Sequence, residues 1–141
     1  MIYFLGVISV LLLFLISAIH VYWAFGGKWG ISGVIPTKNI DQKVMSPPFI
    51  ATLIVAIVIA GFAIIYAKKL ALFSSITFPN WVNIYGIYIV AGVFIARAIG
   101  DFTYVGFFKR IKNTKFAKND TLYFSPLCLF LGVVGFIIAY F

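Results

Sequence analysis

IYFLGVISVLLLFLISAIHVYWAFGGKWG, residues 2–30, meets no formally charged side chain until Lys28. A bilayer core about 30 Å thick needs about 20 apolar residues in helical form, and this run exceeds that length. No basic segment precedes it, its apolar part is too long for a secretory leader, and no small-residue cleavage pattern follows a short core. It reads as a retained membrane span over about 2–25. The pair Gly26-Gly27 stops the helix, and Trp23 and Trp29 flank the turn as amphipathic rings do at a membrane boundary.

Three further stretches meet the same length requirement, at roughly 48–67, 81–106 and 122–141. The second is entered through Ser46-Pro47-Pro48, where serine can accept from an orphan backbone N–H and proline fits the first turn. The third follows Thr77-Phe78-Pro79-Asn80, with Trp81 and Tyr85 suited to the interface; the fourth is entered through Ser125-Pro126 behind Tyr123 and Phe124. Of the 141 residues 64% are hydrophobic and only 10% charged, against about 25% charged in soluble domains. Mean hydropathy is +1.13. The expected fold is an all-α, integral-membrane, antiparallel four-helix bundle forming a single domain over 1–141, without internal repeats.

Orientation follows from lysine and arginine. The loop after span one carries Lys28, Lys38 and Lys43, and the loop after span three carries Lys109, Arg110, Lys112, Lys115 and Lys118. Only Lys68 and Lys69 follow span two. The positive-inside rule then puts the first and third loops in the cytoplasm of a bacterial inner membrane, with both termini outside.

Lipid supplies no hydrophobic drive between helices, so spans associate through faces of small residues. Such faces run through Gly6, Ser9, Ser17, His20 and Ala24 in span one, and through Thr52, Ala56, Ala60, Ala63 and Ala67 in span two. Span three offers Gly92, Ala96 and Gly100, and span four Ser125, Cys128, Gly132, Gly135 and Ala139.

Ionisable side chains within spans are functional candidates by default. Arg97 and Asp101 lie four residues apart on span three and so share a face with Phe94 and Tyr104. His20, with Trp23 one turn on, approaches the same membrane boundary from span one, and Asp120 enters there ahead of span four. Two readings follow. In one, Arg97 and Asp101 neutralise each other and His20 bonds to a neighbour. In the other, His20, Trp23, Arg97, Asp101, Tyr104 and Asp120 line a pocket open to the cytoplasm, with Arg97 as an anion contact and His20 or Asp101 as a proton carrier.

Several chemistries are excluded. The single Cys128 lies in an apolar run and forms no disulfide framework within one chain. One histidine, no glutamate and three scattered aspartates supply no clustered metal ligands, and no cofactor is expected. Net charge is +8, but the cations sit in short loops beside apolar spans, which argues against nucleic acid as a partner. Nucleophile-elbow, phosphate-loop and dinucleotide fingerprints are absent. FFKRIKNTKFAKN, residues 107–119, mixes cations with Phe108, Ile111 and Phe116 as a segment lying on anionic headgroups does, although it also serves as a topology signal alone. The sequon Asn119-Asp120-Thr121 falls on the side expected to be cytoplasmic, which argues against its use.

Three motifs, His20 to Gly30 (H-x-x-W-A-x-G-G-x-W-G), Gly100 to Arg110 (G-D-F-x-Y-V-G-F-F-K-R) and Asp120 to Cys128 (D-T-L-Y-F-S-P-L-C), resemble the bacterial membrane proteins grouped as domain of unknown function 3995. The resemblance covers most of the chain and keeps the motif order. It implies a four-span inner-membrane protein and no established activity. The leading functional expectation from the residues is a protein that binds a lipid or other amphipathic small molecule near the cytoplasmic face. The alternatives are a membrane-embedded enzyme moving a proton through His20 or Asp101, and an accessory or immunity-type subunit whose small-residue faces serve a second copy or another membrane protein.

Overall fold

The computed structural model describes residues 1–39, 41 and 47–141; Lys43 and Ser46 lie outside them. Its elements are α1 (Ile2–Ala24), the short α2 (Ile31–Val34), α3 (Phe49–Lys69), α4 (Asn80–Ile99), the short α5 (Lys115–Asn119), a π-helical turn (Asp120–Phe124) and α6 (Ser125–Tyr140). No strand occurs among the described residues. Four helical segments, Ile2–Ala24, Phe49–Lys69, Asn80–Ile99 and the continuous Lys115–Tyr140, are long and apolar enough to cross a bilayer. Their outward faces carry Leu11, Leu15, Ile50, Ile54, Ile57 and Ile89, all exposed, as side chains against lipid are. The chain is a multi-pass membrane protein.

Local chemistry sets the helix ends. Gly26 takes φ 90, and the N–H groups of Gly26 and Gly27 return to the carbonyls of Trp23 and Tyr22, a Schellman closure of α1. The end of α3 has the same bond pattern, Ala71 N–H to Lys68 and Leu72 N–H to Ala67, but here the left-handed position is an alanine at φ 58. An L side chain at that angle is strained by about 1–2 kcal/mol.

The bundle is built from two extensive pairs, α1 along α3 and α4 along α6, joined by α1 against α6 and by a much shorter seam of α3 with α4. Leu13, Ala63, Tyr66, Ile87, Val90, Leu131 and Val134 form its centre. Tyr66 is fully buried there, and its hydroxyl donates to the Leu131 carbonyl at 2.7 Å, which satisfies a polar atom that lipid could not. Ser17 likewise donates to the Ala56 carbonyl of α3 at 2.7 Å. Gly132 and Gly135 let α6 close on Ala91, Ile95 and Tyr66, positions that a Cβ would invade.

The expected small faces of α1, α3 and α6 are largely the buried ones. That of α4 is not. Ala96 is exposed and Gly92 faces open space, whereas Gly86, Ile87, Val90, Ala91 and Ala98 are buried. The glycines of α6 close on Ala91 and Ile95, so the small residue of α4 at this contact lies on another face than Gly92 and Ala96. The third span also stops at Ile99, seven residues before the expected 106, because Gly100 leaves the helix at φ 94. The fourth begins earlier than 122, through α5 and the π-helical turn.

Candidate functional site

The loop from Gly100 to Thr114 folds back on the end of α4. Gly100 and Gly106 both take positive φ, 94 and 90, and lie backbone against backbone, so that a Cβ on either would enter the other strand of the loop. Phe107 N–H closes the loop on the Ala98 carbonyl at 2.9 Å. Within it, Asp101 Oδ1 accepts the N–H groups of Thr103, Tyr104 and Val105 at 2.9, 2.7 and 2.9 Å. The side chain thus acts as a turn-forming acceptor, with Phe102 held at φ 62 inside the turn.

These bonds, that from Val105 foremost, hold the Asp101 carboxyl below the ordinary aspartate range. A carboxyl with a lower pKa in the folded loop stabilises it fully above the unfolded value, and the stabilisation is lost as pH falls through the folded one. The Asp101 turn is expected to stay formed near neutrality and to loosen only in acid below the ordinary aspartate range. Amide NMR shifts of Thr103, Tyr104 and Val105, followed down the pH range, check this.

Asp120, 0% exposed, ties this loop to α4. Its Oδ1 accepts from Arg97 Nη2 at 2.8 Å. Its Oδ2 accepts from Gly106 N–H at 2.8 Å, Lys109 Nζ at 3.0 Å and Ser125 Oγ at 3.1 Å. The π-helical turn makes this possible: its five-residue spacing returns Ser125 N–H to the Asp120 carbonyl and carries the Ser125 hydroxyl to the same carboxylate. Lys109, 2% exposed, also donates to the Gly106 carbonyl at 2.9 Å and to Thr121 Oγ1 at 2.6 Å, which occupies all three of its protons.

Arg97 therefore does not pair with Asp101, as the spacing suggested. That pairing requires helix through residue 101, and the helix ends at Ile99. Lys109 is equally misplaced by the reading of 107–119 as a headgroup-facing segment, since it is buried while its neighbours Phe108 and Arg110 are exposed. Nothing in FFKRI separates Lys109 from Arg110; the available signal was the need of a membrane-entering aspartate for cationic partners.

His20 stands apart from this network. Its Nδ1 lies 2.8 Å from the Ile16 carbonyl one turn back and donates a hydrogen bond to it. Trp23 packs edge-on against the imidazole with ring centroids 5.2 Å apart, and its Nε1 donates to the Trp29 carbonyl at 2.8 Å. Among the described residues no hydrogen bond joins His20 to Arg97, Asp101 or Asp120. Tyr104 is half-buried and enters the hydrogen bonding through its backbone N–H. Among the same residues no three His, Cys, Asp or Glu side chains gather as metal ligands would.

Loops one and three meet at this end of the bundle. Lys115 Nζ donates to Ser32 Oγ at 3.0 Å and Asn119 Nδ2 to the Gly33 carbonyl at 3.2 Å, a contact that a side chain at residue 33 would obstruct. α5 is itself capped by Thr114, whose hydroxyl accepts Ala117 N–H at 3.1 Å.

The electrostatic result is an imbalance. Two cations, Arg97 and Lys109, share one carboxylate. Arg97 Nη1 is buried without an acceptor, although the side chain as a whole is 32% exposed.

No curated protein and no solved structure matches the chain. A family described as "Protein of unknown function (DUF3995)" matches residues 13–135, which include His20, the Gly100–Gly106 loop and the entire Asp120 network, and the chain belongs to that family.

Proposed function

We propose that this protein works in a bacterial cytoplasmic membrane with its basic loops in the cytoplasm, and binds an amphipathic ligand with an anionic head where those loops meet. The observation that carries the reading is Arg97: one nitrogen holds Asp120, while the other is buried without an acceptor beside a second cation. An unmatched buried donor costs about 1–3 kcal/mol, more for a charged group, and an anionic oxygen would relieve it. Arg97 takes the head, and His20, Trp23 and Tyr104, which form no hydrogen bond with it among the described residues, are not needed for that contact. Asp120 orients Arg97, and Asp101 shapes the loop beside it. Placement of this end in the cytoplasm rests on the excess of cations in loops one and three.

The proton-transfer alternative has less support. His20 Nδ1 is bonded to its own helix, one Asp101 oxygen serves three loop amides, and the Lys109 ammonium has donated every proton.

The test uses the full chain reconstituted in liposomes with a phosphatidic acid bearing a diazirine near its glycerol. After illumination, labelled peptides are mapped by mass spectrometry. Labelling is expected around residues 97–109 and to fall several-fold in R97K, which keeps a charge for Asp120 but loses the second donor pair. Equal labelling of both proteins would remove the reading and favour a subunit whose polar network is purely structural.

A further inference from the structure

At the opposite end of the bundle, α3 and α4 leave between them a half-open cavity of about 200 Å³. Its floor is Ile65, Val82 and Ile87, and Lys68, Lys69 and Asn83 stand at its rim. We propose that this cavity is a binding site for an anionic membrane lipid, with the phosphate on Lys68 and Lys69 and the first methylenes of an acyl chain on the apolar floor. This site is independent of Arg97.

Three observations carry the assignment. The first is charge without competition. Lys68 commits one donor to the Ser74 carbonyl at 3.2 Å, and Lys69 is exposed with no partner among the described residues. The chain's three acids are Asp41, Asp101 and Asp120, which lie in or beside loops one and three, at the far end. No aspartate of this chain therefore neutralises the lysine pair, and neither lysine forms an ion pair among the described residues.

The second is size. Small-molecule pockets that enclose their ligand run to about 300–1,000 Å³. A space of about 200 Å³ with one side open holds part of a ligand whose remainder lies outside it. An isolated inorganic anion would gain nothing from a floor of isoleucine and valine.

The third is depth. Lys68 and Lys69 close the last turn of an apolar helix, at the level where a spanning helix meets headgroups, and Trp81 and Tyr85, exposed on another face of the first turns of α4, suit the same level. Ile87 lies seven residues into α4, about 10 Å farther along the axis at 1.5 Å per residue. Polar rim and apolar floor thus follow the order of a lipid's phosphate and chain.

The test measures lipid binding to the full chain in neutral detergent by native mass spectrometry, with dioleoyl phosphatidylglycerol, dioleoyl phosphatidylcholine and inorganic phosphate as probes. Wild type is expected to retain phosphatidylglycerol in preference to phosphatidylcholine, and phosphate at millimolar concentration not to displace it. The double variant K68Q/K69Q is expected to bind phosphatidylglycerol roughly thirty-fold more weakly, at about 1 kcal/mol for each lysine near a lipid surface. V82F, which fills the cavity and keeps both lysines, is expected to lose the adduct as well, with I65F as the alternative filler should V82F not fold. K112Q, in the loop after α4, controls for general charge loss and is expected to bind as wild type does. Unchanged binding in the double variant, unchanged binding in a folded cavity-filled variant, or displacement by phosphate alone would each overturn the proposal.

Discussion

Asp120→Ala is expected to leave little folded protein. The carboxylate accepts four hydrogen bonds from Arg97, Gly106, Lys109 and Ser125, and its removal strands the Lys109 ammonium in a site 2% exposed. Breaking a buried ion pair by deleting one partner costs about 3–5 kcal/mol, because the remaining charge stays desolvated. Here two cations lose the same acceptor. A fall in detergent-solubilised monomer on size exclusion, with a melting temperature well below wild type, is the expected result. Asp120→Asn is expected to be milder, since it keeps an acceptor oxygen. If Asp120→Ala melts as wild type does, the network does not hold the loop to the bundle.

Gly106→Ala is expected to be nearly as damaging, for a different reason. Gly106 adopts φ 90, which L side chains rarely take, and a methyl group there would overlap the backbone of Ile99 and Gly100. Both obstacles are main chain, so no rotamer change relieves them. The loop must open, and with it go the Gly106 N–H bond to Asp120 and the Phe107 N–H bond to Ala98. A loss of several kcal/mol is expected, from strain of about 1–2 kcal/mol together with two broken hydrogen bonds near an ionic cluster. Faster proteolysis between Gly100 and Thr114 than in wild type is the measurement that checks it. Alanine at Gly92, where a Cβ meets nothing within 4 Å, serves as the control on the same protein.

The four spans were legible because their length and hydropathy answer a requirement of the bilayer, which any sequence crossing it must meet. The buried faces of α1, α3 and α6 were legible for a related reason: Ser17, Ala56 and Gly132 are small where backbones approach. α4 misled because it carries small residues on more than one face. Ala91 is the one that packs on Gly132 and Gly135, which leaves Gly92 and Ala96 outside.

The site was harder to read than the spans. Arg97 and Asp101 have helical spacing, but hydropathy continues through Phe102, Phe107 and Phe108 and conceals the helix end at Ile99. Gly100 followed by Asp101 was the local signal for that end, a glycine free to take positive φ and an acid able to gather loop amides. The partnership of Asp120 with Lys109 depends on a π-helical turn and a glycine pair acting together. Neither has a periodicity that hydropathy can reveal.

The order of the Asp120 partners along the chain bears on biosynthesis. Arg97, Gly106 and Lys109 all precede Asp120, and only Ser125 follows it. Chains are made from the N-terminus, so both cations have left the ribosome before the acid appears. The last membrane segment therefore need not carry a bare carboxylate into lipid. Its neutralising partners already stand at the end of the preceding helix and in the loop after it, and α4 and α6 can enter the bilayer as one hairpin.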